Sequence, residues 1–348
     1  MNLSSMSTPV PALPRTLRLA LFALGAILGL APQVQAATLT VYAAMGYDAR
    51  VARAFTHATG IRVNLVHLST GPLLARVQAE AAHPQWDVLW FDGNLAMRQF
   101  ARHRQLSCGW LPAVHYTPQG RALLPADRCY FPVGVTYAGM MLVNTRRLPQ
   151  GDWPLQWRDL TKPALYGKVG MNNPAISGPT YPFVAGMMQH LGLKAGERYF
   201  ERLKANGLKI FPRNSVTLRA LQYGQIDVAV VQSSAALGLA TKEPGLRVIP
   251  AAPSAELPSD LAIGARVQGR TLQSARRFVQ FVLSPAGQKV LQEGDVSADS
   301  NYQPLLTGVR PVSALAKLTG VRPLVLNPAQ WGPLEPKVVF WFTVHVAR

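Results

Sequence analysis

The sequence predicts an α/β fold of two lobes, and three observations carry that prediction. Short β-rich runs alternate with helical patterns, the signature of strands that pair in parallel. The alternation occurs twice, once before about residue 130 and again after residue 168, and the two stretches are separated by an apolar, glycine-interrupted run and later by a proline-rich one. The chain has 348 residues, of which 49% are hydrophobic and 15% charged, enough apolar material for one large or two medium cores. A composition this varied excludes disordered and collagen-like classes.

The first 36 residues stand apart. Arg15 and Arg18 precede an apolar run from Leu19 to Leu30, and Val34 and Ala36 supply the small residues of a cleavage site. That run is shorter than the roughly 20 residues that cross a bilayer as a helix. A secretory signal peptide cleaved after Ala36 is expected. The residue that follows is Ala37, not cysteine, so lipid attachment is not expected. Removal takes two arginines and no acid, lowering the formal charge from +18 to +16, so the basic character belongs to the folded part.

From Leu39 to Ala44 a β-rich segment leads into a helix with Val51, Phe55 and Ala58 on one face. A second strand spans Ile61 to Leu68; Pro72 then opens a helix lined by Leu73, Leu74 and Val77. The third strand, Asp87 to Phe91, ends in Asp92-Gly93-Asn94 before another helix from Leu95, completing β-α-β-α-β with short connections. The run from Tyr130 to Val143 predicts a strand crossing into a second lobe. There the alternation resumes: strand 168–171, helices from Thr180 and Gly196, strand 208–211, helix from Ser215, strand 226–231, helix from Ser233, strand 246–249. Pro250, Pro253 and Pro258 mark a linker, after which Leu261 to Val267 returns as a strand to the first lobe, followed by helices at 273–283 and 286–292. The expected division is 37–136 plus 257–348 for the first lobe and 137–256 for the second, hinged at the two crossings.

Ligands of open α/β sheets bind beyond the carboxyl ends of strands. In the first lobe that edge carries Ser69, Thr70 and Asp92, which either meet a guest or only cap their helices. In the second lobe the segment Asn173 to Tyr181 offers Ser177, Gly178 and Thr180 at a helix start, an end that favours anions, and Ser233 and Ser234 open the next helix in the same way. No GxSxG, HExxH, GxxxxGK[ST] or GxGxxG motif occurs. The seven histidines are scattered, and His57, His67, His83 and His103 read as ordinary surface or core residues rather than metal ligands. Lys and Arg are spread rather than gathered with aromatics, which argues against nucleic-acid binding. Cys108 and Cys129 lack metal or redox spacing; in an oxidising compartment they either form one bridge, worth about 3 kcal/mol, or stay as two buried thiols.

The order of features resembles the periplasmic solute-binding proteins of ATP-binding-cassette importers, in the branch of ferric-iron, phosphonate and organic-phosphate binders. The resemblance covers most of 38–310 and rests on LTVYAA, STGPLLARVQAE with PQWDVLWFDG, WRDLTKPALYGKVGMNNPAISGPTY, LQYGQIDVAVV and ARRFVQFVLSPAGQKVL. It implies a type II periplasmic-binding fold, each lobe a mainly parallel sheet flanked by helices. It further implies a monomer that closes on a small solute and hands it to an inner-membrane permease, with no cofactor and no catalysis. Iron binders of the family place two adjacent tyrosines after the strand matching 226–231, where this chain has Gln232-Ser233-Ser234-Ala235; Tyr47, Tyr137 or Tyr302 would have to substitute. The expected ligand is therefore a phosphonate or organic phosphate held by Ser69, Thr70, Ser177, Gly178, Thr180 and Ser233. Asp92 would receive an amine or hydroxyl of the ligand, and Tyr137 joins the candidate set. The alternatives are a ferric-iron binder and, from another class, a secreted hydrolase or transferase on the same scaffold. From about Pro323 the chain departs from the family pattern and shows no helical period, ending in VVFWFTVHVAR. It reads as an exposed apolar tail, as a frameshift or truncation would leave, with low melting or aggregation as the consequence.

Overall fold

The computed structural model describes residues 38–293 and 299–348, so the expected signal peptide lies outside the described residues. Alternation of Leu39, Val41 and Ala43, all fully buried, builds strand β1, Thr38–Ala43, which leads into helix α1, Asp48–Thr59, ended by Gly60 in the left-handed region. Strand β2, Arg62–His67, helix α2, Thr70–Ala79, strand β3, Val88–Asp92, and helix α3, Asn94–Arg102, follow as the sequence predicts. A short helix α4, Pro118–Leu123, capped by the Thr117 hydroxyl, was not evident from the sequence. Cys108 and Cys129 are joined by a disulfide beside it.

The apolar run after Tyr130 is two strands rather than one. Strand β4, Phe131–Tyr137, belongs to the first sheet and β5, Met140–Asn144, to the second, with Ala138 and Gly139 between them as the first crossing. The second lobe continues with β6, Val169–Asn172; α5, Thr180–Leu191; α6, Leu193–Ala205; β7, Lys209–Phe211; α7, Asn214–Gln222; β8, Val228–Val231; α8, Ser233–Lys242; and β9, Leu246–Ile249. Its sheet runs β7-β6-β8-β5-β9, parallel at β6 and antiparallel at β5.

The return to the first lobe begins earlier than the sequence suggests. Strand β10, Ser254–Ile263, contains Pro258, which was expected in a linker. Pro258 is tolerated because β10 pairs there only with β4; its pairing with β3 starts at Ser259, and a bulge follows at Ser259/Asp260. Helices α9, Gly269–Val282, and α10, Pro285–Gln292, and strands β11, Gln303–Pro304, and β12, Pro323–Leu324, complete the element order up to the last helix. The first sheet is ordered β11-β4-β10-β3-β1-β2, with β12 on β10. Two α/β sheets joined by two adjacent crossings are the two-lobe type II arrangement.

The tail is not a loose apolar end, although Val325 and Phe340 in it stand exposed. Residues 328–342 form helix α11, with Pro328 at its first position and Asn327 capping Ala329. Trp331, Val338, Phe342 and Val346 are buried in the core of the second lobe, where Leu95 of α3 joins them from the first. The Tyr181 hydroxyl donates to the Trp331 carbonyl, and the Trp331 indole donates to Gln189 at 2.7 Å. Residues 313–318 likewise pack against α8. Much of the segment expected to complete the first lobe thus covers the second.

Candidate functional site

The carboxyl ends of β1, β2 and β3 face those of β6, β7 and β8 across a cleft of about 460 Å³. From the first lobe it is lined by Ala44, Gly46, His67, Leu68, Ser69, Thr70, Asp92 and Asp299, so the segments that follow β1, β2 and β3 all reach it. The second lobe contributes Ser177, Gly178, Arg213, Asn214, Ser215 and Gln232, among others. Of the expected ligand residues, Ser69, Thr70, Asp92, Ser177 and Gly178 come together here. Tyr137, Thr180 and Ser233 do not line the cleft. The Ser233 hydroxyl accepts from the Tyr137 backbone N–H at 2.9 Å, tying the first crossing to α8, and Thr180 is buried at the start of α5.

Ser69 occupies the cap position of α2 with extended backbone, yet its hydroxyl caps nothing. It therefore remains available to a guest beside the Thr70 N–H at the helix start, where Gly71 donates to the Ile176 carbonyl, Leu73 to the Ser69 carbonyl, and Pro72 has no N–H. Asp92 is committed differently: Gln232 donates from one amide nitrogen to Asp92 and to Thr136, both at 2.9 Å. Burial first, and the nearby Asp299 carboxylate second, push the Asp92 carboxyl well above the usual range, against the Gln232 bond that favours its anion. Gln232 also receives the Asn214 amide, and Asn172 links Asn214, Thr217 and Ser177. This buried network fixes the rim of the second lobe against Asp92 of the first.

The lobes also touch directly. The Gly71 N–H donates to the Ile176 carbonyl at 3.1 Å. A methyl group on Gly71 would lie 2.2 Å from the Ala175 carbonyl oxygen, and one on Gly178 would lie 2.4 Å from the Thr70 hydroxyl. Only glycine permits either approach.

Sequence reasoning missed the charged part of the site. His67 bonds through Nδ1 to the buried Asp48 carboxylate at 2.7 Å, and that bond raises the imidazole above its ordinary value despite partial burial. Its partner lies 19 residues upstream, a distance at which no motif signals the pair. Arg213 stands at the cap position of α7 with extended backbone and lines the same space. Among the described residues no tyrosine lines the cleft. Tyr47 is buried beneath it against Trp90, with ring centroids 5.3 Å apart, and Tyr302 is bound to Gln288 at 2.9 Å. Among the described residues no group of three or more His, Cys, Asp or Glu is placed to hold a metal ion.

A cleft between two α/β lobes, rimmed by helix starts and uncommitted polar side chains, defines a solute-binding protein. Residues 39–294 match the model of the bacterial extracellular solute-binding protein family, and the chain belongs to that family. It is 23% identical over 290 residues to the major ferric iron-binding protein of Neisseria meningitidis serogroup B, covering 81% of this chain and 86% of that one. It is 26% identical over 245 residues to a putative 2-aminoethylphosphonate-binding periplasmic protein of Salmonella typhimurium, covering 69% and 70%. The solved structure of the periplasmic binding protein P5PA superposes with a TM-score of 0.79 at 18% identity, over 89% of this chain and 99% of that chain.

Proposed function

We propose that this protein is the periplasmic binding component of an ATP-binding-cassette importer and captures a small solute bearing a phosphonate or phosphate ester group. Exported as residues 37–348, it works as a monomer, closes its lobes on the solute and presents the closed form to an inner-membrane permease. The observation that carries the ligand class is the convergence of Arg213, His67, the unused Ser69 hydroxyl and the start of α2 on one cleft that no tyrosine lines. Guanidinium and backbone amides match the geometry of a tetrahedral oxyanion, and the helix start adds favourable charge. The relatives' names divide between ferric iron and aminoethylphosphonate. Among the described residues no phenolate donor suited to Fe(III) lines this cleft, so the donor set favours the phosphonate side. Burial and the neighbouring Asp299 carboxylate push the Asp92 carboxyl above its usual range, which lessens its repulsion of an incoming anion. Calorimetric titration of the mature protein with phosphonates, phosphate esters and ferric citrate tests the reading: binding of the first two classes supports it, and binding of iron alone refutes it.

A further inference from the structure

The cleft is longer than an acid group needs. On the second-lobe side it is lined by residues 214, 215, 218 and 222 of α7 and by 235, 238, 239 and 242 of α8. Each set is spaced by three or four, a single stripe on one helix face. Because β7 and β8 both run parallel to β6, α7 and α8 start at the same edge and run away from it side by side. At about 1.5 Å per residue the paired stripes extend roughly 10–12 Å beyond His67 and Ser69. The middle of this extension is walled by Leu218, Ala235, Gly238 and Leu239, and its outer end is polar, with Lys242 beside Gln222 and Glu243, whose side chains are hydrogen-bonded to each other. The backs of Leu218 and Leu239 pack into the core beneath, so the groove floor is fixed rather than mobile.

We propose that the solute is bipartite, an acid group at the His67–Arg213 end joined to an extended apolar body that lies between α7 and α8. This inference rests on the anion reading above and adds to it the class of organic substituent. The cavity is continuous with the acid-binding end, which excludes a groove serving some separate partner as the simpler account. A bare phosphate would leave the Leu218–Leu239 walls wet.

Calorimetric titration of the wild-type mature protein with methyl-, butyl-, hexyl- and phenylphosphonate decides the matter. Each methylene placed in the groove should tighten binding about fourfold, so hexylphosphonate should bind far more tightly than methylphosphonate. Leu239→Trp, which narrows the groove, should flatten that series, and Leu239→Ala serves if the tryptophan variant does not fold. Equal affinity for methyl- and hexylphosphonate overturns the bipartite ligand while leaving the anion reading in place. Binding of no phosphonate at all overturns both.

Discussion

Replacing Gly71 by alanine separates affinity from stability in this architecture. Gly71 lies in the first turn of α2, in the first lobe, and its N–H reaches the Ile176 carbonyl of the second at 3.1 Å. The added methyl would sit 2.2 Å from the Ala175 oxygen, a backbone atom that cannot swing aside. The lobes must then part by about 1 Å at this point to reach ordinary contact. The lost hydrogen bond costs about 0.5–1.5 kcal/mol and the overlap a comparable amount or more. Together these come to roughly 2–3 kcal/mol against the closed form, which is about 30- to 150-fold in ligand affinity. The unliganded protein escapes the clash by opening, and alanine in a helix is favoured over glycine by up to about 1 kcal/mol, so its melting temperature should hold or rise slightly. Calorimetric affinity for the tightest phosphonate, together with thermal unfolding without ligand, measures both sides. Affinity within twofold of wild type would refute the claim that the contact between Gly71 and Ala175 belongs to the ligand-bound state.

Two pH effects follow from buried or paired groups. His67 is raised by its bond to Asp48 and also faces Asp299 and Arg213, so it carries charge below its raised value and loses it as pH increases through that value; anion affinity should hold in acid and fall through that range, and His67→Gln should be weak throughout and lose that part of the dependence. Asp92 faces the same cleft and also ionises as pH rises, so Asp92→Asn identifies its share of the decline. Asp260, fully buried in β10 beside the bulge with neither oxygen bonded among the described residues, has its carboxyl pushed up to about 8 by burial. Because the folded protein holds this proton more tightly than the unfolded chain, stability is greatest in acid. It should fall by up to about 1.4 kcal/mol per pH unit between about 4 and 8. Asp260→Asn should flatten that slope in urea denaturation measured across this range, and an unchanged slope would show that the carboxyl finds a partner in solution.

Strands β1 to β3 and β6 to β9 were legible because buried apolar runs alternate with amphipathic helices such as α1 and α6, whose polar faces meet solvent. Legibility failed where apolar residues do not report which face is buried. Helix α11 shows no period because its outer face is apolar too: Trp331, Val338 and Phe342 are buried with Leu95 of α3, while Phe340 on the other side stands exposed. Pro333 and Pro336 inside it further disguise a helix that tertiary packing sustains. Pro258 looked like a linker because edge and bulge positions that admit proline depend on which strand lies alongside. Within the site, Ser69, Thr70, Asp92, Ser177 and Gly178 were found because strand-exit loops gather at one sheet edge. Tyr137, Thr180 and Ser233 share that edge but turn into local packing, as the Ser233–Tyr137 bond illustrates. His67 and Gln232 escaped because their meaning comes from Asp48 and Asp92, partners joined to them only by the fold, and Arg213 because only the fold brings the start of α7 to the cleft.

Side-by-side calorimetric titration of residues 37–348 with an organophosphonate and with ferric citrate, repeated on Arg213→Ala, tests the central claim most directly. The account predicts saturable phosphonate binding that Arg213→Ala weakens by roughly 10- to 150-fold, the worth of a hydrogen-bonded charge, and no heat or colour with iron. Saturable iron binding with a visible phenolate band, and no response to any phosphonate or phosphate ester, would contradict it.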